Sequence, residues 1–206
     1  MLKKVLVSAW TWLFLTLVAI ALVSILSPEE RTLGANVRIV YMHGAWVWTA
    51  LAGLLAAGLT GLIGLLTRQG AFHCWSRALG RTGMLFWITY LPLSLWAMQA
   101  NWNGLFLAEP RWRLALVFSI AGLLLQTGLA LLDKPVWTSL GNLAFILVLL
   151  LALTNTANVM HPPSPILSSD VLLIRFYFFA LLSVTLLAGW QVARFIKRLT
   201  CQTQNN

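Results

Sequence analysis

The amino-acid sequence predicts an all-α polytopic membrane protein, a bundle of about six transmembrane helices with both termini in the cytoplasm. Of the 206 residues, 60% are hydrophobic and only 9% are charged, and the mean hydropathy is +0.84. Soluble domains usually carry about 25% charged residues. The apolar residues are gathered into long runs, and an uncharged run of about 18 residues or more is typical of a transmembrane helix.

Six apolar runs are separated by polar linkers, and residues 1–206 are interpreted as a single transmembrane domain. Backbone groups in lipid must pair within the structure, so each run is expected to form a helix. The predicted spans are 5–26, 39–66, 83–100, 114–132, 136–154 and 171–195. The first run is long for a signal peptide and lacks a clear A-x-A cleavage site, so we expect it to be retained as a helix.

Small residues recur along the second predicted span. Gly53, Ala57 and Gly61 are four residues apart and therefore share one helix face. Such a stripe lets two helix backbones approach closely in a membrane. The pattern predicts tight helix packing in preference to a ligand site.

The distribution of charge predicts the orientation of the bundle. The net charge is +9, but the cations flank the apolar runs singly or in pairs and form no aromatic-rich basic stripe. We therefore expect membrane lipid, and no nucleic acid, as a partner. With the N-terminus inside, 9 of the 14 cations fall on the cytoplasmic side, as the positive-inside rule requires. The outer cations are Arg31, Arg38, Arg111, Arg113 and Arg175.

The two cysteines carry no recognisable motif. Cys74 and Cys201 form neither a CxxC pair nor a CxxCH haem-attachment sequence. We expect no disulfide framework, and covalent attachment of a c-type haem to this chain is excluded.

Two of the three histidines are predicted to lie at the outer membrane face. His43 opens the second span, and His161 follows the fifth. Each alone could be a solvated or structural residue, whereas two imidazoles facing one cavity can provide both axial ligands of a haem iron. They are too few for a structural zinc site without acids or cysteines. His73, beside Cys74, is expected to be a solvated residue of a cytoplasmic loop.

The segment 101–113, between the third and fourth spans, mixes aromatic, apolar and basic residues at the outer face. Trp102, Phe106 and Arg111 belong to it. Two interpretations remain open. It is an interfacial aromatic belt with charged anchors, or it is a flap over a planar apolar ligand, with an arginine paired to the ligand's carboxylates.

Several of these residues resemble a known family. Arg38-Ile39-x-Tyr41-x-His43, followed by Ala45-Trp46, is similar to the start of the second helix in cytochrome c assembly proteins of CcmC and CcsA type. Ser94-Leu95-Trp96 is similar to the end of that family's third helix. The resemblance covers residues 36–190, and six spans with the N-terminus inside fit the CcmC branch.

The sequence departs from that family in the outer loop. The family's mark is W-G-x-W-W-x-W-D followed by an arginine. Trp102 aligns with the first tryptophan and Arg111 with the arginine. At the later tryptophan positions and the aspartate position, this chain has Leu105, Phe106, Ala108 and Glu109.

The resemblance implies a bacterial inner-membrane protein that binds b-type haem non-covalently at its periplasmic face. His43 and His161 would be the axial ligands of the haem iron, and Trp102 and Phe106 would belong to the covering loop. Arg38, Arg111 and Arg175 are candidate partners of the haem propionates on charge grounds alone, and the alternative for each is snorkelling to the interface. The implied partners are a haem chaperone, an ATP-binding cassette transporter and other cytochrome c assembly subunits.

The leading hypothesis is therefore a haem-holding and haem-delivering protein that performs no bond-making chemistry itself. The alternative is a structural or accessory subunit of a larger membrane complex with a degenerate haem site. A quinone-linked redox enzyme with two haems would need four ligands, and the chain has three histidines in total. A transporter is disfavoured because the spans contain few of the charges that mark a polar pathway.

Overall fold

The computed structural model describes residues 9–157, 166 and 169–201, and these residues form six α-helices. The helices are α1 (Ala9–Leu26), α2 (Val37–Thr67), α3 (Gly70–Trp102), α4 (Pro110–Leu132), α5 (Pro135–Thr154) and α6 (Leu172–Cys201). Four of them, α2, α4, α5 and α6, are long and apolar enough to cross a membrane, and Trp10–Leu26 is a shorter apolar helix. The predicted all-helical membrane bundle is confirmed.

Helix α3 is longer than the sequence predicted. The predicted span began at residue 83 and left a cytoplasmic loop before it, whereas α3 begins at Gly70 and only Arg68 and Gln69 separate it from α2. Its first turns were missed because they contain polar residues. Arg77 is nevertheless buried there, and its Nη1 lies 3.0 Å from Oδ1 of Asp133.

Three sharp chain reversals end on residues in the left-handed conformation. Arg68, Asn103 and Asp133 have φ angles of 58°, 53° and 42° and follow α2, α3 and α4. A left-handed residue just after a helix turns the chain away and satisfies its last carbonyls. Proline begins both α4 and α5, where its missing N–H is not needed.

Helices α2 and α3 run antiparallel, and at Gly53 and Gly83 they approach so closely that a Cβ atom at either position would crowd the backbone of the other helix. A Cβ atom added to Gly53 would lie 3.1 Å from Cα of Gly83, and one added to Gly83 would lie 2.7 Å from the backbone nitrogen of Leu54. Ala57 is fully buried, and Gly61 faces Ser76 and Ser139. The small-residue stripe predicted from the sequence is therefore a packing surface.

Helix α2 is the centre of the bundle. It contacts α1, α3, α5 and α6, and α4 packs on α3 and α5. The core around it contains fully buried large side chains such as Trp87, Tyr41 and Leu149. Thr49 on α2 donates a 3.0 Å hydrogen bond to Thr185 on α6 across this core.

The bundle has two distinct ends. At the "His43 end", α1 and α3 end and α2 begins. At the "Cys74 end", α2 and α6 end and α3 begins. Among the described residues, the candidates predicted from the sequence lie at the first end, and most of the basic residues lie at the second.

Replacing Gly83 by Ala tests the close approach. The new methyl group would contact the Leu54 backbone and force α2 and α3 apart, and overpacking of this kind costs about 2 kcal/mol. We expect a clearly lower thermal unfolding temperature in detergent. Gly128→Ala is the matched control, because a Cβ there meets nothing within 4 Å in the described part of the chain. Equal unfolding temperatures for the two variants would contradict the packing.

Candidate functional site

His43 lies in the second turn of α2, half-buried at one end of the bundle. Its imidazole ring packs against the Tyr90 ring of α3, with 5.5 Å between the ring centroids. The next residue, Gly44, faces α6, because a Cβ there would lie 3.2 Å from Cε2 of Phe178. The helix places this imidazole at the junction of α2 and α3, with its position fixed by packing.

An aromatic wall supports the imidazole. Tyr90 packs edge-on against Trp87, with centroids 5.2 Å apart, and Trp87 Nε1 donates a 3.2 Å hydrogen bond to the Ala115 carbonyl of α4. One turn further along α2, Trp46 Nε1 donates to Thr89 Oγ1 at 2.9 Å. These contacts tie α2, α3 and α4 together behind His43.

Arg38 lies on another side of α2. Five residues separate it from His43, which at 3.6 residues per turn is a rotation of about 140°. Arg38 Nη2 lies 3.5 Å from Glu29 Oε1, and its Nε donates to the Ser27 carbonyl at 3.3 Å. The structure therefore does not bring Arg38 to the side of α2 that His43 occupies.

Arg38 instead lines a separate cavity of about 300 Å³ between α1, α2 and the end of α3. Trp96, from the Ser94-Leu95-Trp96 segment, is 59% exposed and forms one wall. The remaining lining residues are Ser24, Ile25, Ala35, Asn36, Ile39, Met42 and Ala100.

The loop between α1 and α2 is held in place beside this cavity. Glu30 Oε2 accepts hydrogen bonds from the backbone N–H groups of Leu33 and Thr32, both at 2.9 Å. These N–H groups, Leu33 foremost, hold the pKa of the Glu30 carboxyl below its usual value. The loop turns at Gly34, whose φ of +55° is accessible to glycine without strain.

The predicted flap is anchored at both sides. Trp102, at the end of α3, packs edge-on against Phe106, with centroids 5.9 Å apart. Arg113 Nε donates to the Leu107 carbonyl at 3.0 Å, and Arg111 Nε donates to the Thr156 carbonyl, just after α5, at 3.4 Å. The segment thus links the ends of α3, α4 and α5.

The predicted second ligand, His161, lies outside the described residues. The described residues on either side of it are Ala157 and Ile166. Ile166 packs against the core, and its Cδ1 would lie 3.7 Å from a Cβ on Gly44. The chain therefore contacts α2 again at Gly44, on the side of α2 that faces α6. Arg175 is nearby in sequence, and its Nε donates to the Ser169 carbonyl.

The described residues at the His43 end contain one imidazole, that of His43. Within the described residues, no group of three His, Cys, Asp or Glu side chains comes together. A haem iron takes four nitrogen ligands from the porphyrin, and an imidazole can serve as an axial ligand. His43 contributes one imidazole, and the buried aromatic residues Tyr90, Trp87 and Phe178 pack around this part of α2.

The structure corrects the expectation for His73. It is a buried residue in the first turn of α3, not a solvated loop residue. Its Nδ1 lies 2.7 Å from Ser139 Oγ of α5, and Gly64 of α2 packs against its ring. Gly64 extends the small-residue stripe of α2. This glycine was the feature of the sequence that could have predicted a large ring packed against α2 at that point.

His73 is part of a buried polar cluster near the Cys74 end. Asn142 of α5 donates to the Ser76 carbonyl at 2.9 Å, and its Oδ1 accepts a 2.7 Å hydrogen bond from Gln126 of α4. Ser76 Oγ donates to the Ala57 carbonyl of α2 at 2.8 Å. The cluster joins four helices through side chains that sequence analysis passed over as isolated polar residues within apolar runs.

The structure also corrects the expectation that the two cysteines form no disulfide. Cys74 of α3 and Cys201 of α6 form a disulfide, with their Cα atoms 6.1 Å apart. No sequence motif relates the two cysteines, because 127 residues separate them. Only the extension of α3 and α6 beyond their predicted ends brings the two residues together.

Comparison with known proteins finds one relevant similarity. Over 73 residues, the chain is 33% identical to a ccmC-like mitochondrial protein of cytochrome c biosynthesis from Marchantia polymorpha. The match covers 35% of this chain and 32% of that protein, so the chain spans about a third of the relative's length. No family model and no solved structure matches the chain. The similarity agrees in kind with the resemblance carried by Arg38–Trp46.

Replacing Asn142 by Ala tests the buried cluster. Gln126 and the Ser76 carbonyl would each lose a hydrogen-bond partner, which costs about 1–2 kcal/mol when both are buried. We expect a lower unfolding temperature in detergent. Asn155→Ala is the control, since that exposed side chain bonds only the Leu151 carbonyl of its own helix among the described contacts. If both variants unfold at the same temperature, the cluster does not stabilise the bundle.

Proposed function

We propose that this chain holds haem non-covalently at the His43 end and delivers it during cytochrome c assembly. One observation carries the proposal. Ile166, five residues after His161 in the sequence, packs beside Gly44, the residue that follows His43. The described chain therefore contacts α2 again at Ile166, on the same helical turn as the first histidine. The similarity to a cytochrome c biosynthesis protein supports the same assignment.

The other described edge of that segment supports the proposal as well. Thr156, five residues before His161, accepts a hydrogen bond from Arg111 at the start of α4. Both edges thus lie at the His43 end of the bundle. His43 and His161 would each contribute an imidazole ligand to the haem iron.

The remaining candidates take supporting roles in this proposal. Trp102 and Phe106, packed together after α3, would cover the porphyrin edge. Arg111 is the better partner for a propionate, because Arg38 faces another side of α2 and pairs with Glu29. Haem is the cargo, and the chain itself makes and breaks no covalent bond. Its partners would be a haem chaperone, a transporter of the ATP-binding cassette type, or other assembly subunits.

An absorption spectrum tests the assignment. The full chain, purified from haem-replete cells, should show the Soret and α/β bands of a bis-histidine haem. His43→Ala combined with His161→Ala should lose at least nine-tenths of the haem per folded protein, because both axial bonds are removed. His73→Gln is the control, since it removes the third imidazole at the opposite end and should retain the haem.

Two outcomes would overturn the proposal. Unchanged bands in the double variant would mean that other residues bind the iron. A wild-type protein without haem that co-purifies with further subunits would favour the alternative, an accessory subunit with a degenerate site. Circular dichroism of each variant distinguishes a lost ligand from a lost fold.

The orientation in the membrane is part of the proposal. The cation count supports an orientation with the Cys74 end in the cytoplasm and the His43 end in the periplasm of a bacterial cell. In the cytoplasm, the Cys74–Cys201 pair would be kept as thiols. A green fluorescent protein fused to the C-terminus should therefore fluoresce, and an alkaline phosphatase fused there should be inactive. The reverse pattern would place the haem site on the cytoplasmic side.

A further inference from the structure

A second cavity, unrelated to the haem proposal, lies at the Cys74 end. It encloses about 310 Å³ between the start of α3 and the last turns of α6. Trp75 and Cys201 form part of its wall, and the other lining residues are the three cations Arg194, Lys197 and Arg198. No other cavity described above contains more than one cation.

The geometry of α6 explains why the cations converge. Arg194, Lys197 and Arg198 stand at positions i, i+3 and i+4, which lie on one face of a helix. Cys201 follows on the same face, and its Cα lies 6.1 Å from the Cα of Cys74, so that this face packs against α3. The three positive charges therefore lie close together because the helical repeat puts them on one face of α6.

Trp75 closes the cavity on the α3 side. Its indole ring is stacked on Trp190 of α6, with 4.9 Å between centroids and an angle of 10° between the planes. Lys197 Nζ lies 4.1 Å from the centre of the same ring. The cation–π contact fixes the ammonium group at the cavity wall.

The cavity carries an uncompensated positive charge. The chain has five acidic residues. In the described part of the chain, the ion pairs are Arg38–Glu29 and Arg77–Asp133, and neither involves a cavity residue. Like charges on one helix face repel each other. An anion held between them would be stabilised by three charge-assisted contacts.

The surface next to the cavity indicates what kind of anion fits. On α6, one to three turns before the cations, Leu186, Leu187 and Trp190 are exposed and apolar. A ligand that fills the cavity and follows this surface has an anionic head and a hydrocarbon tail. Basic pockets between transmembrane helices bind lipid headgroups in this way.

We propose that this cavity is a binding site for the phosphate group of an anionic phospholipid, with the acyl chains lying along α6. The phosphate would be held by Arg194, Lys197 and Arg198, and Trp75 would mark the level of the headgroup. Arg68 and Lys134, at the same end, do not line this cavity and would only attract the lipid surface in general.

Native mass spectrometry of the delipidated full chain tests the site. Phosphatidylglycerol should bind at least tenfold more tightly than phosphatidylcholine with the same acyl chains. Arg194→Gln combined with Arg198→Gln should weaken phosphatidylglycerol binding about tenfold or more, since each surface cation contributes roughly 1 kcal/mol. Arg194→Lys combined with Arg198→Lys should retain binding, because the charge is kept.

Arg68→Gln combined with Lys134→Gln is the matched control, because it removes the same charge from the same end of the bundle. This control should bind phosphatidylglycerol like the wild type, and an equal loss would overturn the site in favour of general surface attraction. Equal binding of the two lipids by the wild type would also overturn it. Displacement of the lipid by an equal concentration of inorganic phosphate would reject the lipid as the source of the phosphate. None of these readouts depends on haem.

Discussion

The close approach of α2 and α3 is the constraint on which the other contacts depend. At Gly53 and Gly83 the two backbones lie within van der Waals distance, with no side chain between them. That distance lets Trp46 reach Thr89 and lets His43 pack on Tyr90 towards one end. Towards the other end, it places the His73 ring on Gly64. A wider spacing would separate both sets of partners at once, because all of them lie along the same helix pair.

The sequence predicted the architecture well because hydropathy and residue size act locally. Apolar runs identified the helices, and the small residues at 53, 57 and 61 identified the packing face of α2. The errors arose where the burial of a polar residue depends on a partner that is distant in the sequence. Arg77 and His73 resemble loop residues in the sequence. In the structure, Arg77 pairs with Asp133, which follows α4, and His73 hydrogen-bonds Ser139 of α5. Likewise, no local pattern relates Cys74 to Cys201.

The candidate site also has a part that the sequence predicted and a part that only the structure shows. The motif from Arg38 to Trp46 identified His43, and the structure places that residue against an aromatic wall at the junction of α2 and α3. The same motif could not separate Arg38 from His43, because only the helical rotation between them puts the two side chains on different sides of α2. The arginines share a further property that was invisible in the sequence. Arg38, Arg111 and Arg175 each donate through Nε to a main-chain carbonyl, so each also fastens a chain segment at this end.

The bond between Cys74 and Cys201 has a consequence for the covalent topology of the molecule. While it is closed, most of α3 and all of α4, α5 and α6 belong to a single covalent ring, and α1 and α2 form a tail attached to it. A protease that cuts once in the segment between α3 and α4, or between α5 and α6, would open the ring without releasing a fragment. A cut between α1 and α2 would detach a piece. The effect of a single cut therefore depends on whether the cleaved loop lies within the ring or in the tail.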